Sequence, residues 1–173
     1  MSYESIYPRT PVGTIEIKTL PARTTLVASA PGDAFEDRGA AFMKLFDYIK
    51  RNRIAMSVPV EASASTNEMI FFAGAQAQPQ TLPSTNGVRV QALPETTVAS
   101  VGLRGSYTRA NYEAGVKRLS AWLAGRPEWR PQGEPYAVYW NSPFVPWFLR
   151  KAEIHQPLMR ADGGGLPAFY TFE

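Results

Sequence analysis

Glu153 and His155 sit two residues apart in RKAEIHQPL (150–158), and the spacing invites chemistry. The stretch alternates polar and apolar residues, the period of a strand with one buried face. If Ile154 faces a core, Glu153 and His155 share the opposite face and can meet as i,i+2 neighbours. A carboxylate buried there without a partner has its pKa raised; it would suit recognition of a cationic or hydrogen-bonding ligand, or acid–base work beside His155. The simpler account pairs Glu153 with Arg150 or Lys151 at a strand edge, because Glu is rarely buried alone. No nucleophile is signalled nearby, so Glu153 stands as the sole catalytic candidate. His155 is the only histidine and the chain has no cysteine, which excludes zinc sites of several His, thiolate sites and disulfides; His155 is kept as a candidate metal ligand.

A second set of residues suits a flat, apolar guest. FEDRGAAFMKLFDYIKRN (35–52) places Phe35, Phe42, Leu45, Phe46 and Ile49 on one helical stripe, with Met43 beside it and Arg38 a turn earlier. Rings and a polarisable thioether can line a groove, and Arg38 can anchor a carboxylate. Met56 and Val58 alternate with Ser57 on the strand that follows, with one face inward. Further on, Tyr139 and Trp140 lead into FVPWFLR (144–150). Pro143 and Pro146 argue against a regular strand or helix there. Burying Phe144, Trp147, Phe148 or Leu149 is worth about 1.5–3 kcal/mol each, so some should fold over the sheet or a groove as a lid-like rim, with Tyr139 and Trp140 beneath. Core packing is the plainer account of each of these residues, and a partner-facing loop at 144–149 is another.

Other functions are disfavoured by composition. The net charge of +3 comes from scattered Arg residues, without the clustered basic face that nucleic-acid binding needs. No GxGxxG, GxxxxGK or HExxH occurs, and GGG at 163–165 lies in a polar tail. No apolar run is long enough to span a membrane, and the opening MSYESIYPRTPVGT shows no signal-peptide pattern, so a cytoplasmic address is expected. The oligomeric state is not legible.

The elements that position these residues come from an internal repeat. TIEIKTLPARTTLVAS from Thr14 aligns with GVRVQALPETTVASVG from Gly87 at a shift of 73 residues. Each reads as a strand broken at Leu-Pro and resumed. A helix follows each, 35–52 and then 109–125, and two return strands follow each helix, 54–63 with 67–75 and 135–144 with 150–158. A shift of 84 aligns the return strands, Ile70 with Ile154. The order is βαββ twice, repeat one at about 14–75 and repeat two at about 87–158, in one domain over 1–158 with a flexible tail at 159–173. The expected fold is α+β: two pseudo-symmetric repeats forming a distorted antiparallel β-barrel-like sheet with two helices.

Against this background YIKRNRIAMSVPV (48–60) resembles a signature of the SOUL/heme-binding protein family, whose strand reads Met-Thr-x-Pro-Val where this chain has Met56-Ser57-Val58-Pro59-Val60. Tyr139-Trp140-Asn141-Ser142-Pro143 followed by Arg150-Lys151-Ala152-Glu153-Ile154 is similar to the family's second signature. The resemblance covers about residues 13–158 and implies a duplicated fold related to GyrI-like effector-binding domains. It implies binding of heme, another tetrapyrrole or a similar flat apolar molecule in a groove beside the first helix. The site would comprise Arg38, Phe42, Met43, Phe46, Met56, Val58, Tyr139, Trp140, Trp147 and Glu153. Where some members carry a proposed heme-ligating His, this chain has Thr19, so weak or absent iron ligation is expected and heme is an allowed rather than a required cofactor. Met56 could offer a thioether, and His155 stands where the family has an apolar residue. The alternatives are an effector-binding-type hydrolase or drug-sequestering protein using Glu153, and an interaction module acting through 144–149. On balance the chain reads as a binder rather than an enzyme.

Overall fold

A computed structural model describes residues 4–29, 32, 38–74, 82–85, 87–141 and 146–161, with only the backbone of Trp147. The first repeat comprises β1 (Glu4–Ser5), β2 (Ile15–Leu20), β3 (Arg23–Ser29), α1 (Arg38–Arg51), β4 (Ser57–Val58), β5 (Val60–Ser63) and β6 (Glu68–Ala73). The second comprises β7 (Arg89–Leu93), β8 (Thr96–Arg104), α2 (Arg109–Ala124), β9 (Trp129–Pro131), β10 (Tyr136–Tyr139) and β11 (Lys151–Arg160). Local chemistry sets several boundaries. Pro21 and Pro94 fall in the breaks between β2 and β3 and between β7 and β8, where a missing N–H does least harm. Thr108 caps α2, accepting the Asn111 N–H at 3.2 Å, and Gly125 closes the helix two residues before Pro127.

Eight strands form a path in the order β2-β8-β11-β10-β5-β6-β3-β7, with β9 pairing separately to β11. The result is a curled half-barrel sheet carrying two helices, an α+β fold as expected. Each half lends one strand to the other. A shift of 73 residues carries Ile17 onto Val90 and Leu26 onto Ala99, and the structure pairs Ile17 with Ala99 and Leu26 with Val90. The repeat read from the Leu-Pro segments is therefore also the symmetry of the pairing.

Both helices pack on one face. Beneath α1 lie Leu26, Ala28, Met69 and Phe71, and beneath α2 lie Val101, Ala137, Ala152 and Ile154. Buried on α1 are Ala41, Leu45, Tyr48 and Ile49, while Phe42 and Phe46 are half-buried; Phe35 lies outside the described residues. Gly115 lets α2 settle on the sheet, since a Cβ there would meet Ile154 and Leu103. The opposite face carries a third apolar cluster of Tyr7, Leu20, Phe72 and Val98, with Ile6, Ile70 and Trp140 against it. The chain before β2 crosses this face as a strap. It pairs β1 with β4 in parallel, bonds the Ile6 N–H to the Val58 carbonyl at 2.9 Å, and runs over Gly102, where a Cβ would strike the Pro11 carbonyl.

Several sequence expectations shift. Ile70 belongs to the strap-side cluster and Ile154 to the helix side, so the shift of 84 is one residue short; a shift of 85 brings Met69 onto Ile154. One residue of slip turns every side chain to the other face. β11 continues past Leu158 to pair Met159 with Arg130 and Arg160 with Trp129. The tail from 162 and most of the 75–87 link lie outside the described residues.

Candidate functional site

Strand alternation places Glu153 and His155 on the strap side and Ile154 under α2. The two side chains meet: His155 Nε2 lies 2.6 Å from Glu153 Oε1, and both residues are fully buried. The expected partners Arg150 and Lys151 are not the ones used. Lys18, brought alongside through the pairing of β2 with β8, donates to Oε1 at 2.8 Å, and Ser100 on β8 donates to the same oxygen at 2.9 Å. Oε2 accepts from Trp140 Nε1 at 2.6 Å and from the Thr10 N–H of the strap at 2.8 Å. Burial alone would push the Glu153 carboxyl up; the hydrogen bonds of His155 and Lys18 and the charge of Lys18 outweigh it and hold the group at about 2. The raised pKa expected of a buried carboxylate without partners does not arise, because Glu153 has partners.

Burial drives His155 the other way, below its ordinary pKa and against the pull of Glu153. A neutral ring beside an acceptor-only carboxylate carries its proton on Nε2, and Nδ1, 3.1 Å from the Tyr136 hydroxyl, accepts from it. Both ring nitrogens are thus committed.

A second carboxylate completes the network. Glu61 on β5 is 2% exposed and accepts the Tyr7 hydroxyl at 2.7 Å. Burial raises it to about 7, against Tyr7 and the charge of Arg23. The Tyr7 ring lies among Trp140, His155 and Phe72, with centroids 5.7–6.2 Å away. The strap's own side chains therefore fill this hollow. Tyr7, Lys18, Glu61, Ser100 and Tyr136 were not singled out from sequence. Only Glu61 carried a usable signal: it stands between Val60 and Ala62 as Glu153 stands between Ala152 and Ile154.

The remaining expected residues occupy the helix side. Arg38 is not a free guanidinium: Nη1 donates to the Tyr107 carbonyl at 2.6 Å, and the group lies 5.9 and 5.8 Å from the rings of Tyr107 and Tyr139, which stack 4.2 Å apart. Phe42 and Phe46 stack at 6.0 Å, and Phe42 meets Phe71 edge-on at 5.2 Å. Met43 is 59% exposed and off the stripe, one residue round the helix from Phe42. Met56 packs half-buried against the α1 cluster. On β4 the buried residue is Ser57, bonded to the Phe72 carbonyl at 2.7 Å, while Val58 is half-buried in the ladder with the strap. Tyr139 and Trp140 face opposite sides of the sheet and do not line one groove. Residues 142–145 and the Trp147 side chain lie outside the described residues; Phe148 and Leu149 stay 53% exposed, and no lid-like burial is seen for them. Among the described residues no group of three metal-ligating side chains occurs, and no helix is long and apolar enough to cross a membrane.

Several solved structures share the fold. The EcmrR C-terminal domain aligns with a TM-score of 0.65 at 12% identity, covering 86% of this chain and 98% of that one. A hydrolase from Listeria innocua aligns at 0.61 and 13%, covering 87% and 94%, and an uncharacterized conserved protein from the same organism at 0.63 and 11%, covering 86% and 94%. Identities this low speak for architecture alone. No curated protein matches the chain in sequence. The family of SOUL heme-binding proteins matches across residues 1–157, nearly the whole described chain. This protein belongs to the SOUL heme-binding protein family.

Proposed function

We propose that the protein binds a tetrapyrrole or a similar flat apolar molecule along α1, chiefly by apolar burial and without an axial ligand from the chain. The observation that carries the reading is the family match over residues 1–157, which supports tetrapyrrole binding as such. The residues on the helix side suit the ring rather than the iron. Phe42 and Phe46 offer stacked, half-buried rings, and Arg38 stands one turn before Phe42 for a carboxylate. His155 has both nitrogens bonded and no exposed surface. The strap side is less suitable, because Tyr7 already occupies it.

The hydrolase-type alternative through Glu153 loses support from the same geometry. A carboxylate held at about 2 by five donors is a poor base and is not an acid at neutral pH. Tryptophan quenching on titration with protoporphyrin tests the placement. Removing a ring that covers the guest should weaken binding by about tenfold for Phe42→Ala, given about 1.5 kcal/mol or more for a buried aromatic. Arg38→Ala should weaken a dicarboxylate porphyrin more than its dimethyl ester. Unchanged affinity in both variants would place the guest elsewhere.

A further inference from the structure

Arg23 opens β3 on the strap side, 9% exposed, and its place in the fold is anomalous. Its Nη1 donates to the carbonyls of Pro21 at 2.9 Å and Pro94 at 3.4 Å, so it touches both Leu-Pro breaks. Its Nε is buried with no hydrogen-bond partner. No carboxylate forms an ion pair with it among the described residues; Glu61 feels its charge only through space and spends its bond on Tyr7. The turn itself does not call for arginine, because the pseudo-symmetric position, 73 residues on, is Thr96. A buried guanidinium with an unspent donor is costly, and protein interiors rarely leave one so.

The same residue stands in the wall of a cleft of about 500 Å³ between the strap and the β3–β7 edge, whose other walls include Ile6, Ala73, Ala92 and Leu93. That volume and lining are those of a small-molecule site: mostly apolar, with two charged residues, Arg23 and Glu4, in its wall. Glu4 also lines the cleft, with its carboxylate against Gly74, and disfavours a guest carrying a second negative charge. We infer that this cleft binds an apolar monocarboxylate, its carboxylate accepting hydrogen bonds from Arg23 and its hydrocarbon body lying on Ile6, Ala92 and Leu93. A carboxylate accepting from Nη2, the guanidinium nitrogen that neither carbonyl uses, supplies the counter-charge that no ion pair provides. The site lies at the ends of β3, β6 and β7 and shares no lining residue with those placed along α1, so it does not depend on the tetrapyrrole reading.

Calorimetric titration of the full chain with octanoate and with 1-octanol separates head group from tail. Octanoate should bind at least about tenfold more tightly than octanol, the worth of one charge-assisted contact in a partly closed site. Arg23→Met should abolish that difference. Ala92→Trp, an exposed change that fills the cleft and leaves Arg23 in place, should weaken octanoate by about tenfold or more while melting temperature and protoporphyrin affinity stay unchanged. Equal affinity for the acid and the alcohol, no octanoate binding, or indifference to Ala92→Trp would each overturn the inference, whether or not Arg23→Met folds.

Discussion

Five donors converge on Glu153, and one of them, Lys18, arrives from a strand of the other repeat. Removing one partner of a buried ion pair leaves an uncompensated charge and costs about 3–5 kcal/mol. Lys18→Met should therefore lower the unfolding free energy by roughly that amount in urea, whereas Lys151→Met, which leaves Glu153 untouched, should change it by about 0.5 kcal/mol or less. Glu61 gives the opposite signature. Its folded pKa of about 7 lies above its unfolded value of 4.5, so the folded state holds the proton longer and stability falls as pH rises between those values. Glu153, depressed to about 2, contributes stability that is present above 4.5 and lost as the solution is acidified below it. His155, kept neutral by burial, adds stability as pH climbs through the range of a free imidazole, opposing Glu61. The clean readout is thus a difference: relative to wild type, Glu61→Gln should lose the decline between pH 4.5 and 7, on the order of 2–3 kcal/mol. That Glu153 and His155 share a face followed from strand alternation alone. Their partners did not, because Lys18, Ser100 and Thr10 reach them through long-range pairing that no local period encodes.

The strap and the broken strands decide what the sheet can hold. Local periodicity read the β2/β3 and β7/β8 segments correctly because the Leu-Pro break recurs with the same spacing in both halves. The connection between the return strands is longer in the second half, 140–150 against 64–67, so no single shift aligns both pairs, and Ile70 and Ile154 align on paper and face opposite ways in space. YESIYPRT has no period at all, and nothing in it announced that Tyr7 would lie 2% exposed beside two carboxylates. The strap depends on Gly102, whose missing side chain leaves room for the Pro11 carbonyl. Gly102→Val should destabilise the fold by about 1–3 kcal/mol and speed amide exchange at Gly13, which bonds to Gly102, and at Ile6, which ties the strap to Val58, more than at Val27 in the far half. Uniform acceleration throughout the sheet would instead mean that the strap is not a separate unit.

At the scale of the whole molecule, two βαββ halves exchange their first strands and close one half-barrel. Its strap-side hollow is filled by the chain's own residues, and its helix side presents rings and an arginine. Family membership supports the proposal that this architecture takes a tetrapyrrole, and in that proposal the one histidine, with both ring nitrogens bonded, is not an iron ligand. The most direct test compares hemin with metal-free protoporphyrin on the wild type and on His155→Gln, following absorbance and affinity together. The two ligands should bind the wild type within about threefold of each other, a gap of less than 1 kcal/mol, and His155→Gln should leave both the affinity ratio and the hemin spectrum as they were. A strong preference for hemin that His155→Gln abolishes would contradict the account.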